Sequence, residues 1–263
     1  MAKLTIADLQ QMKRDGKKIA AAVAYDYQMA QILDKAGADI VTIGDSVGPR
    51  FFGQPTPFEV TVDQMILCCV AVTRGVQHAV VSCDMPFGPT QTSVDEALRA
   101  AIQLVKEGHA DMVKIDGAAD CPEAVAGVAR AGIPVWAQFG FTPQTTARFG
   151  GFEKIPDDAR KQMEGEIREQ AKVLEQAGAS CFDCTNVGND LIGEIAQMVS
   201  IPVLGGFNTG PKADGRVTVS YGLVGYSADI NAPSRSGHPH VGKVIYDGMS
   251  DWFKAVRDGT APP

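Results

Sequence analysis

"DKAGADIVTIGD", Asp34–Asp45, decides the fold. A helical stretch runs into Gly37, a short gap follows, and the apolar run from Ile40 to Ile43 closes on Gly44 and Asp45. Glycine after a helix supplies the left-handed cap that other residues resist. The apolar run does not alternate, which suits a strand buried on both faces. The same phrase recurs as "KEGHADMVKIDG" (Lys106–Gly117), "ARAGIPVWAQFG" (Ala129–Gly140) and "EQAGASCFDCTN" (Glu175–Asn186). "SIPVLGG" (Ser200–Gly206) repeats the plan without the cap.

Working outward, eight strands are predicted: Ile19–Ala24, Ile40–Gly44, Ala79–Asp84, Met112–Ile115, Val135–Phe139, Cys181–Thr185, Val203–Gly205 and Arg216–Ser220. Helical patterns separate most of them, the clearest being Asp157–Gln176 with Met163, Ile167, Ala171 and Leu174 on one face. Strands alternating with helices pair in parallel. Eight such units in 263 residues predict an α/β chain of the (βα)8 TIM-barrel class, one domain over residues 1–263. A doubly wound sheet is the alternative, but its phosphate-binding glycine signatures are missing. The opening segment reads as an amphipathic helix with Leu4, Ile6, Leu9 and Met12 on one side. From His240 the chain reads as a closing helix with Val244, Ile245, Met249, Trp252, Phe253 and Val256 turned inward.

A net charge of −7 and no basic stripe argue against a nucleic-acid partner. No apolar run approaches the roughly 20 residues that span a bilayer. The six cysteines, without an export signal, point to a reduced, cytoplasmic protein rather than a disulfide framework. Cys181 and Cys184 form a C-x-x-C, but inside a predicted strand.

In a TIM barrel the chemistry sits at the C-terminal strand ends. The polar residues there are Tyr25, Asp26, Asp45, Ser46, Asp84, Lys114, Asp116, Gln138, Asp183, Thr185 and Asn208. Any one of them could be a helix cap, Asp26, Ser46 and Asn186 above all. Several acids and one lysine at a single mouth need a cation or an anionic substrate to complete them. Asp45 and Asp84 each close an apolar run before a small or glycine-rich loop, as expected of carboxylates that bind Mg²⁺. Lys114 offers a compact positive charge to a substrate carboxylate. Metal plus lysine describes a site for a small-molecule 2-oxo acid, with the metal stabilising its enolate.

These residues resemble the ketopantoate hydroxymethyltransferase family, within the wider group of phosphoenolpyruvate mutase and isocitrate lyase barrels. The matches are "AYDY", "GDSVG", "DMPFG", "EALRAA", "KEGHADMVKIDG", "AGIPV", "GFTPQ", "LEQAGA" and "SIPVLGG", in order across residues 18–215. The resemblance implies Mg²⁺ on Asp45 and Asp84, with Asp116 where the family has a glutamate near the metal. It implies oxo-acid contacts from Ser46 and Lys114, a large homo-oligomer, and transfer of a one-carbon unit from 5,10-methylenetetrahydrofolate to 3-methyl-2-oxobutanoate. Two departures stand out. Gln138 replaces a family histidine, and Thr185 stands where the family ends its sixth strand in a glutamate base. Asp183, two residues earlier, points to the same side of the strand and becomes the candidate base. Gln138 and Asn208 are the further substrate-contact candidates. The alternatives are a retro-aldol lyase or decarboxylase with a changed substrate, and a non-catalytic paralogue that binds oxo acids.

Overall fold

The computed structural model of the chain describes residues 2–145, 150, 157–207, 209–232, 237 and 240–262, with backbone only for 157–162. In chain order the regular elements are α1 Ile6–Arg14, β1 Ile19–Val23, α2 Tyr27–Lys35, β2 Ile40–Ile43, α3 Val62–Gly75, β3 Val80–Asp84, α4 Pro89–Thr92, α5 Val94–Lys106 and β4 Met112–Ile115. There follow α6 Pro122–Arg130, β5 Val135–Gly140, α7 Asp157–Gln176, β6 Cys181–Thr185, α8 Asn189–Met198, β7 Val203–Gly206, β8 Gly215–Val219, α9 Ser220–Leu223 and α10 Val241–Arg257. The eight strands close into one barrel in sequence order, and the ladders from β1 to β8 are parallel. Each predicted strand is present, shifted by at most one residue at either end.

The chain divides into two compact units, Met1–Val217 and Thr218–Pro263. In the first, side chains fill the barrel in layers. Ile40, Val80, Met112, Trp136, Cys181 and Leu204 make an apolar floor, joined by Leu9, Ile19 and Ala21. Leu9 comes from α1, whose Leu4, Ile6 and Met12 also lie against this floor, so the opening helix plugs the bottom of the barrel. Burying a leucine of this kind stabilises the fold by about 1.5–3 kcal/mol. Thr5 starts that helix with a capping box in which it and Asp8 exchange hydrogen bonds.

Two residues on from the floor, the same inward direction is taken by Thr42, Ser82, Lys114, Gln138 and Asp183, all buried. This second layer is polar, where most barrels carry branched aliphatics. Two further on come Gly44, Asp84, Asp116, Gly140 and Thr185. The site therefore begins in the layer directly above an ordinary hydrophobic core.

In the second unit, α10 departs from expectation. Val244, Ile245, Met249, Trp252, Phe253 and Val256 are all exposed rather than turned inward. Among the described residues of that unit the other helix is the four-residue α9, which offers too little surface to cover a 17-residue amphipathic helix. No helix among the described residues is long and apolar enough to cross a membrane.

Candidate active site

Asp84 is the last residue of β3, and its carboxylate reaches across to β2: Oδ1 accepts from Thr42 Oγ1 at 3.5 Å and Oδ2 from the Asp45 N–H at 3.3 Å. Asp45 sits in the turn after β2, and Asp116 lies one residue past β4. All three are buried, between 4% and 6% exposed. Burial pushes Asp84 up to about 7, against the pull of Lys114 and with a further push from Asp45. Burial also lifts Asp116 to about 8, again helped by Asp45, and raises Asp45 itself. Three carboxyls that resist ionisation together lack positive charge.

Lys114 supplies part of it. Its Nζ lies 3.0 Å from Asp183 Oδ2 and 3.9 Å from Asp84 Oδ2, and 5.1 Å over the Trp136 ring. Burial works against the ammonium, but Asp84 and Asp183 outweigh it and hold the pKa above its usual value. Asp183 is thus drawn into the second layer rather than the mouth. Its other oxygen, Oδ1, accepts from Thr185 Oγ1 at 3.1 Å, and Thr185 Oγ1 accepts in turn from Gln138 Nε2 at 2.9 Å. Gln138, Thr185, Asp183, Lys114 and Asp84 form one polar string across strands β5, β6, β4 and β3.

Among the described residues, no three His, Cys, Asp or Glu side chains stand ready as a metal cage. Mg²⁺ does not require one: it commonly takes one or two carboxylates and keeps water or substrate oxygens. Asp45 and Asp84 are two buried carboxylates of that kind. Asp116 Oδ1 is buried with no hydrogen-bond partner, as expected of an oxygen whose partner is a cation or its water. The donor set, all hard oxygen, fits a hard divalent ion.

The remaining expected residues resolve as follows. Asp26 is the cap of α2, its Oδ1 accepting from the Met29 N–H at 2.9 Å. Ser46 Oγ accepts from Tyr25 OH at 2.8 Å, which joins the ends of β1 and β2 beside Asp45. Asn208 lies outside the described residues. Cys181 belongs to the floor, and Cys184, three residues on, points to the other face of the strand. One residue escaped the sequence reading. Gln144, in the loop after β5, donates from Nε2 to Asp45 Oδ2 at 2.9 Å and from its backbone N–H to Asp116 Oδ2 at 3.2 Å. Its only signal was the "GFTPQ" phrase, since a loop glutamine has no periodicity to betray it.

Comparison with known proteins points the same way. The sequence profile described as ketopantoate hydroxymethyltransferase matches residues 3–263. The chain is 38% identical over 264 residues to a 3-methyl-2-oxobutanoate hydroxymethyltransferase of Prosthecochloris aestuarii, covering 98% of this chain and 94% of that protein. It is 36% identical over 262 residues to the protein of that name from Salinibacter ruber, covering 100% and 98%. Among solved structures, 2,3-dimethylmalate lyase, a member of the PEP mutase/isocitrate lyase superfamily, aligns with TM-score 0.63 at 14% identity, over 97% of this chain and 89% of that one. Phosphonopyruvate hydrolase in complex with oxalate and Mg²⁺ aligns with TM-score 0.63 at 12% identity, over 97% and 88%. At these identities the structures establish a shared fold.

Proposed function

The chain belongs to the ketopantoate hydroxymethyltransferase family, and on that premise we propose that it makes or breaks a carbon–carbon bond beside the keto group of a 2-oxo acid, with Mg²⁺ as its metal. The observation that carries this reading is the meeting of Asp45, Asp84 and Lys114 at one end of the barrel. Asp45 and Asp84 would hold the metal, with Asp116 close by; when bound, Mg²⁺ polarises the acid's keto oxygen and stabilises the negative charge that develops there. Lys114 holds a fixed positive charge for the carboxylate of the acid, and Ser46 lies beside Asp45 to position it.

The names of the relatives support transfer of a hydroxymethyl group with 3-methyl-2-oxobutanoate as the acceptor; 5,10-methylenetetrahydrofolate would be the one-carbon donor. One observation favours a second reading. β6 ends in Thr185, a hydroxyl that cannot take a proton from carbon near neutral pH, and Asp183 has both oxygens engaged. A retro-aldol cleavage takes no proton from the α-carbon, because breaking the bond itself generates the enolate. Six unbonded cysteines, five of them buried, suit a cytoplasmic setting. The apolar face of α10 supports a homo-oligomer.

Calorimetry with Mg²⁺ and 3-methyl-2-oxobutanoate tests the reading. Binding should require both components and vanish in Asp84→Ala; binding unchanged in that variant removes the metal site as drawn. Turnover of a panel of 2-oxo acids, with and without the folate, then separates transfer from cleavage.

A further inference from the structure

Tyr25 stands two residues past β1 and is 1% exposed, with its ring centroid 6.4 Å from that of Phe51. Its OH donates to Ser46 Oγ at 2.8 Å. Burial pushes the phenol above its ordinary value, although the bond to Ser46 pulls the other way, so the group stays protonated and remains a donor. A serine hydroxyl has one proton and two lone pairs. Tyr25 fills one lone pair, and among the described residues no acceptor takes the Ser46 proton. Tyr25 is shut in, whereas Ser46 is half-buried. The proton left over therefore belongs to the one hydroxyl of the pair that still reaches solvent.

That proton lies beside the carboxylates assigned to the metal. Ser46 follows Asp45 directly in the turn after β2. A Cβ built on Gly44 would come 2.9 Å from Ser46 Oγ and 3.7 Å from Asp84 Oδ2. The serine hydroxyl and the Asp84 carboxylate thus face each other across a glycine. A serine free to rotate here would turn its proton toward a carboxylate, since a charged acceptor makes the stronger bond. A donor already seated on Oγ restricts that rotation and leaves the proton for an oxygen that arrives with a ligand.

We infer that Tyr25 is a positioning residue: by donating to Ser46 it holds that serine as a hydrogen-bond donor toward the bound acid. The inference rests on the 2-oxo acid reading above and adds to it a buried residue that acts through Ser46. The match is chemical. The carboxylate and keto oxygens of a 2-oxo acid accept hydrogen bonds and donate none, so a serine held as a donor suits either of them.

The test uses 3,3-dimethyl-2-oxobutanoate labelled with ¹³C at C1 and C2, an acid without a proton on C3, so enolisation does not intrude. Calorimetry with Mg²⁺ compares wild type, Tyr25→Phe, Ser46→Ala and the double variant. Tyr25→Phe keeps the ring and removes only the hydroxyl. It should weaken binding about three- to tenfold, the range of one hydrogen bond. The double variant should bind within about twofold of Ser46→Ala, because Tyr25 has nothing left to act through. In NMR of the bound acid, the same labelled carbon should shift in the same direction in Tyr25→Phe and in Ser46→Ala, the mark of one lost hydrogen bond. A packing role for Tyr25 would leave that carbon where it stands in wild type, and such a spectrum overturns the inference. So does wild-type affinity in Tyr25→Phe, or losses that add in the double variant, which would make the two residues independent. If wild type does not bind the acid in the presence of Mg²⁺, the 2-oxo acid reading itself fails and takes the inference with it.

Discussion

Lys114 Nζ lies 3.0 Å from Asp183 Oδ2, with side chains only 8% and 2% exposed. A pair this deep is costly to desolvate, and cutting it leaves a bare charge inside the barrel. Lys114→Met should therefore destabilise the protein by about 3–5 kcal/mol, since it strands Asp183 and removes the cation near Asp84. Adding Asp183→Leu to that variant should recover part of the loss. Urea unfolding of wild type, the single and the double variant measures this; a double variant no more stable than the single would mean that the pair is not the dominant contact of either residue.

The pKa shifts of Asp84 and Asp116 predict how the metal-free protein responds to pH. Burial puts the two groups at about 7 and about 8, against about 3.9 for an aspartate in the unfolded chain. Between about pH 4 and 8 the folded protein thus binds more protons than the unfolded one, so stability falls as pH rises through that window. Carboxyls held low at the surface, such as Asp8 and Asp190, act in the opposite sense, but only below their ordinary range. In EDTA the melting temperature should fall between pH 6 and 8, and Asp84→Asn should flatten the slope. A flat wild-type profile would show that these carboxyls already have a counter-charge.

The strands and their ends were legible because burial on both faces writes itself as an uninterrupted apolar run, and the caps that precede them are glycines. Asp45, Asp84 and Lys114 were legible for the same reason: a charge closing such a run stands out. What Asp183 does was not, since a residue inside a strand reveals its direction but not its partner. Its bond to Lys114 depends on the stagger that brings β4 and β6, the two neighbours of β5, within reach of each other. Gln144 was hidden in a loop, and the apolar stripe of α10 was read as core because periodicity records amphipathicity and not what, if anything, covers it.

Gln144 offers a direct check on the metal ligands. Its Nε2 occupies Asp45 Oδ2, and a cation on that oxygen must displace or share it. Gln144→Ala should tighten Mg²⁺ binding by about threefold or more, the worth of a neutral donor no longer lost on binding. Weaker binding in the variant would place Gln144 on the side of the metal, as a group that supports it.

The character of the β6 terminus can be read from proton exchange. Where a positioned base stands, removing it costs about 10² to 10⁴ in rate. Thr185 offers no base, and Asp183 sits one layer below with Oδ2 on Lys114 and Oδ1 on Thr185. With Mg²⁺ in D₂O, wild type should exchange the α-proton of 3-methyl-2-oxobutanoate slowly. In the strand register position 185 lies between Gly140 on β5 and Gly206 on β7. Thr185→Glu should exchange faster by about 100-fold, because a carboxylate base has replaced a hydroxyl. NMR following the loss of the C3 proton signal measures wild type, Thr185→Glu and Asp183→Asn. Fast exchange in wild type that Asp183→Asn abolishes would restore Asp183 as the base despite its ion pair; fast exchange that survives Asp183→Asn would assign the proton transfer to water at the metal.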